Sequence, residues 1–234
     1  MNTNTLMLLL LGRGSEPFPW IFIVVIGLAI AFVIVAAIGA VKRRKELAAW
    51  AQQKGLQFDP ADDSSFDERF NEFDCLKQGH SRYAYNVMTG TISTMPICAF
   101  DYHYVTGSGK NRQTHRFSAV IIKPIFLLGP LFIRHENFLD KITEFVGYDD
   151  IDFESTEFSR KFYVKSPDRK WAYDVITPAT MEFLLASPQF TIQFDTKQII
   201  AYRNNCFSVS DFEDALQLIM GIIERIPKDI RERS

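Results

Sequence analysis

The string DYHYVTGSGKNRQTH, residues 101–115, sets an aspartate, two histidines, a lysine and an arginine around two glycines. Residues of these types at close spacing suit two kinds of chemistry. A glycine-rich loop ending in lysine can cradle phosphates, and histidines beside a carboxylate can hold a metal or move a proton. The phosphate reading fails on spacing. A Walker loop runs G-x-x-x-x-G-K-[ST] from a strand into a helix, so that backbone N–H groups and the helix N-terminus hold the anion. Here Tyr104 stands at the first glycine, Asn111 replaces the hydroxyl residue, and THRFSAVIIK, which follows, reads as another strand. TGSGKNRQ is therefore expected to be a hairpin turn whose glycines supply positive φ, with no nucleotide bound. Lys110 and Arg112 are expected to form an exposed recognition surface on that loop.

The metal reading fails on parity. Of His80, His103, His115 and His135, none has a second ligand at zinc spacing. His103 and His115 lie on the two arms of the hairpin, and Cys98 shares an arm with His103. Positions 98 and 103 differ by an odd number, so they point to opposite faces of a regular strand. The acids Asp149, Asp150, Asp152, Glu154 and Glu157 put alternate carboxylates on one face of a strand, yet lack the glycine and ligand order of an EF-hand. They read as a charged strand edge. Nucleophile elbows, S-x-x-K pairs and catalytic cysteine signatures are missing from the chain. No cofactor, metal or catalytic residue is assigned. The alternative is a membrane-tethered enzyme whose site is drawn from Asp101, Tyr102, His103 and the Asp150 cluster.

The elements that would position these groups fall into distinct stretches. Residues 17–41, PFPWIFIVVIGLAIAFVIVAAIGAV, contain no charge, and the dense part between Trp20 and Val41 would span about 33 Å as a helix, the thickness of a bilayer core. A buried soluble helix would need protein on every side, and a cleaved signal peptide would need a basic start and a shorter apolar run. The segment therefore reads as a retained transmembrane helix. Lys42, Arg43, Arg44 and Lys45 follow it directly, against Arg13 alone before it, which predicts a cytoplasmic C-terminal part. Cys75, Cys98 and Cys206, odd in number and far apart, suit a reducing compartment.

The 234-residue chain carries 26 Lys and Arg and 28 Asp and Glu. Without Arg13, the basic run 42–45 and Glu16, the part from residue 46 has 21 and 27, a net charge near −6. That sign lacks the electrostatic footprint of a nucleic-acid binder.

Five segments are predicted: a short N-terminal segment 1–16, the transmembrane helix 17–41, a juxtamembrane basic helix 42–55, an α+β domain 56–227 and a tail 228–234. KELAAWAQQKG spaces Leu47, Trp50, Ala51 and Lys54 on one helical face ending at Gly55. DSSFDERFNEF reads as a capped short helix with Phe66, Phe70 and Phe73 inward. SRYAYNVMTG, PICAFDYHYV and THRFSAVIIK read as an antiparallel meander. Residues 126–133, the most apolar run, read as a buried strand, or else as a loop dipping into the bilayer. NFLDKITEFVG reads as a helix and DFESTEFSRKFYVKS as a half-buried strand. Thr177 with Pro178 opens a helix, FTIQFDTKQIIAYR is two strands about a turn, and a capping box at Ser210 to Glu213 opens a last helix stopped by Pro227. The class is α+β, antiparallel strands with packed helices.

The strings AFDYHYVTGSGKNRQTHRFSAV, DIDFESTEFSRKFYVKSPDRKWAYDVITPATMEFLL and IIERIP resemble a family of uncharacterised bacterial proteins with one membrane span before the same order of segments. The resemblance covers residues 46–227. It implies a shared fold and a membrane-associated bacterial protein, and it implies no activity; with the span and its basic flank, the expected location is the bacterial cytoplasmic membrane. The expected role is a binding or scaffolding module held at the bilayer, where confinement raises its effective concentration for a protein partner.

Overall fold

The computed structural model describes residues 19–136 and 149–232, with side chains from residue 22 onward. The segment 1–16, the Trp20 side chain and the helix expected at 137–147 lie outside the described residues. The chain divides into two units, Met1–Lys45 and Glu46–Ser234.

Helix α1, Pro19–Gln53, covers both the span and the basic segment that the sequence set apart. Within the first unit its apolar side chains face outward, Phe22 at 60%, Phe32 at 75% and Val41 at 53% exposed. The stretch Phe22–Gln53 is long and apolar enough to cross a membrane. Beyond Lys45 the pattern turns amphipathic, with Leu47, Trp50 and Ala51 buried. Gly55 stops the helix at φ 70°, where the Leu56 and Gly55 amides reach back to the Ala51 and Gln52 carbonyls, a Schellman cap.

The second unit is one antiparallel sheet. Its strands are β1 Gln57–Asp59, β2 His80–Ile92, β3 Met95–Thr106, β4 Gln113–Ile122, β5 Leu131–His135, β6 Phe162–Lys165, β7 Thr191–Phe194 and β8 Ile199–Arg203. They lie in the order β1-β2-β3-β4-β8-β7-β5-β6. The period of two sorts side chains between two cores. Ile97, Ala99, Val120, Ile122, Ile199 and Ala201 face a large cluster capped by the helix Val209–Arg225. Cys98, Phe100, Tyr102, Phe117, Ala119 and Ile121 face a smaller one closed by Phe66, Phe73 and Leu76.

The remaining helices are α2 Phe66–Arg69, α3 Asp74–Lys77, α4 Thr156–Lys161, α5 Arg169–Val175, α6 Pro178–Ala186, α7 Val209–Arg225 and α8 Lys228–Arg231. Several differ from expectation. The helix expected over residues 63–73 is only the single turn α2, left uncapped because Ser65 donates its hydroxyl to Asp63, and the next turn, α3, begins at Asp74 beyond that string. The strand expected across residues 152–166 is instead α4 followed by the short β6. Ser155 caps α4 by accepting from the Phe158 amide, and the Lys161–Glu157 pair supports its i,i+4 face. The tail at 228–234 contains α8, which buries Ile230. The capping box of α7 is Ser208 with Asp211, two residues before the expected one.

Glu213, expected in that box, instead accepts from Trp50 Nε1 at 3.2 Å and Lys54 Nζ at 2.8 Å. Burial raises its pKa, but the hydrogen bonds from Lys54, Trp50 and Gln217 outweigh burial and hold it below the ordinary 4.5. A carboxyl lowered in the folded state lends its stability in full above pH 4.5 and loses it as pH falls through the folded value. Glu213→Gln is accordingly expected to lower the urea midpoint at pH 7, and the gap from the parent protein to narrow as pH falls below 4.5. An equal gap at pH 7 and pH 3 would show that the charge contributes nothing.

Candidate functional site

The hairpin loop after β3 is a turn, as its spacing requires. Gly107 and Gly109 take φ 69° and 55°, a 3-10 turn covers Gly109–Asn111, and β4 follows directly. Lys110 and Arg112 are exposed on it. His103 pairs across the ladder with Arg116, while His115 pairs with and stacks on Tyr104, so the two histidines face opposite sides of the sheet. Cys98 lies in the smaller cluster, on the side away from His103. Among the described residues, no group of three metal-ligating side chains comes together.

The residues of the dispersed-site reading also separate. Asp101 and His103 share a face, but Tyr102 points to the other and donates to the Leu76 carbonyl at 2.8 Å. The acid cluster is not a strand. Asp150 accepts from the Val164 amide of β6 at 2.8 Å, and Glu157 sits in α4. Four strands separate β3 from β6, which at about 4.8 Å each keeps the two groups on the order of 24 Å apart.

Asp101 has a different task. Fully buried, it accepts from Ser118 Oγ and from Asn86 Nδ2 at 2.9 Å, while Ser118 Oγ accepts from the Phe207 amide at 2.8 Å. Asn86 reaches it from a bulge in β2, at φ 50°. The network ties β2, β3, β4 and the loop into α7 together. Beside it, burial, then the Asp101 charge, push the Tyr85 phenol well above its ordinary range, and on the other face of the sheet burial pushes the Cys98 thiol up to about 12. Neither group is an activated nucleophile.

The surface that stands out is the loop KPIFLLGP, residues 123–130. Pro124 and Pro130 bar a continuous ladder. The loop is pinned at both ends, Lys123 N–H to the Pro96 carbonyl and Leu128 N–H to the Thr196 carbonyl, each at 2.9 Å. Phe126 and Leu128 turn inward at 7% exposure, and Ile125 and Leu127 turn outward at 79% and 60%. The expected buried strand is thus half right, because β5 begins only at Leu131. Sequence reasoning marked the run as apolar without identifying which side chains face out.

Three hollows surround this loop. The largest, about 480 Å³, lies between the Ser93–Thr94 turn, Met95, Ile125, Phe126, the end of α7 at Met220, Ile223 and Glu224, and α8. A second, of about 280 Å³, runs from Lys123 to Lys197 past Ile125 and Leu127. The third, about 290 Å³, lies between Leu127, Gly129, Trp171 and Lys170. An apolar tip ringed by lysines is suited to an amphiphile, whose chain it can bury and whose polar end it can meet.

No family model and no curated protein matches the chain. Among solved structures, the crystal structure of the mycobacterial trehalose monomycolate transport factor A, TtfA, matches with a TM-score of 0.58 at 9% identity, covering 79% of this chain and 96% of that one. The likeness is one of fold.

Proposed function

We propose that the protein is a single-pass, membrane-anchored binding module that handles lipid, with the loop at residues 123–130 as its lipid-contacting surface. The observation that carries this reading is the outward pair Ile125 and Leu127. Apart from Tyr173, they are the exposed large hydrophobic side chains of the second unit among the described residues. Leaving two such side chains in water forgoes about 1.5–3 kcal/mol each, a cost that contact with lipid removes. The fold shared with a protein named for the transport of trehalose monomycolate supports a lipid-handling role. No catalytic step is assigned.

In this reading the anchor is the apolar part of α1, and the basic run at Lys42, Arg43, Arg44 and Lys45 supports a cytoplasmic orientation of the second unit at a bacterial membrane. Carbonate washing of membranes is expected to leave the chain in the pellet, and protease added to inside-out vesicles to digest residues 46–234. Release by carbonate would remove the anchor from the proposal, and protection from protease would reverse its orientation.

A further inference from the structure

We infer that the 480 Å³ cleft is a binding site for one long-chain fatty acid, its chain between Phe126 and α7 and its carboxylate at Lys228 and Arg231. The inference rests on the lipid-handling reading and names the ligand class for one part of that surface.

The walls divide by chemistry. Met95, Ile125, Phe126, Met220 and Ile223 supply an apolar floor, two of them methionines that adapt to a flexible chain. If each methylene occupies about the 30 Å³ of a water molecule, the space holds roughly sixteen carbon groups, the size of one common acyl chain.

The rim belongs to α8 and the last turn of α7. It carries Lys228 and Arg231 against Glu224 and Glu232, and none of the four forms an ion pair among the described residues. Arg231 Nε is shielded from solvent and meets no acceptor. A shielded donor on a cation is a standing cost that a carboxylate relieves, and a guanidinium fork matches a carboxylate in shape once its last torsions turn. The two glutamates make the rim formally neutral. That tolerates one negative charge and disfavours a phosphate dianion. At the mouth, Ser93 and Thr94, which line the cleft, hold φ of 48° and 71°, a conformation rarely taken by residues other than glycine.

The test uses the full chain in phosphatidylcholine nanodiscs, with a C16 fatty acid bearing a diazirine near its terminal carbon, and the methyl ester of the same probe. Illumination followed by peptide mapping is expected to place the acid on Met95, Phe126, Met220 or Ile223, with labelling suppressed by excess palmitic acid. Ile223→Trp, which fills the cleft, is expected to cut that labelling at least fivefold. Lys228→Glu, an exposed change that leaves the core alone, is expected to cut labelling by the acid severalfold and labelling by the ester little. Acid labelling of the cleft that is unaffected by both variants would overturn the site. Labelling confined to Leu127, which lies outside the cleft, would overturn the site and leave the lipid-handling surface standing. Labelling confined to α1 before Lys45 would overturn both.

Discussion

Replacing Ile125 and Leu127 together by aspartate is expected to abolish flotation of residues 46–234 with lipid vesicles. The fragment carries the eight strands and both clusters found among the described residues, so it is the natural form in which to test the loop without the anchor. The two side chains stand 79% and 60% exposed, and seating both in lipid is worth about 3–5 kcal/mol in total. That converts to at least a hundredfold in the partition constant. Because neither side chain contributes to the core, the urea midpoint is expected to report a change within about 0.5 kcal/mol. Parent and variant floating alike would show that the loop is not the lipid contact.

Asp101→Ala is expected to be among the most damaging single changes in the second unit, at about 3 kcal/mol. The loss does not come from one bond. Removing the carboxylate strands the Ser118 hydroxyl and the Asn86 amide in a site closed to water, and a buried donor without an acceptor costs about 1–3 kcal/mol. Asp101→Asn keeps one acceptor and is expected to lose roughly half as much. Exchange of the Phe207 amide, bonded to Ser118, should accelerate along with the loss of stability. An alanine variant within about 0.5 kcal/mol of the parent protein would mean that water replaces the network at no cost.

The parts of this fold that are legible in the sequence are those settled by local rules. The meander shows as alternating aromatic and β-branched positions, and β2, β3 and β4 follow them. Thr177 before Pro178 opens a helix because the cap and the fixed φ act within one turn. The helix α7 shows where locality ends. Two overlapping S-x-x-[DE] strings, from Ser208 and from Ser210, could each cap it, and the choice falls to the first because Glu213 is engaged by Trp50 and Lys54 from some 160 residues away. The same holds for the candidate site. An apolar run between two prolines is visible, but which of its side chains face water depends on hydrogen bonds to Pro96 in β3 and to Thr196 in the turn between β7 and β8. The Asp101 network required Asn86, Ser118 and Phe207 to meet, and nothing in their spacing announces it.

The strand order has a consequence for how the protein is made. β8 pairs with β4 on one side and with β7 on the other, and β7 in turn pairs with β5, so residues 191–203 are the keystone between two halves of the sheet. During synthesis β4 is complete at Ile122, but its partner is not finished until Arg203. At about 5–20 residues per second, those roughly 80 residues leave an open strand edge on the nascent chain for on the order of 4–16 s. A chain that stops between residues 123 and 190 keeps that edge permanently, so it should be a substrate for chaperones and proteases rather than a smaller working domain.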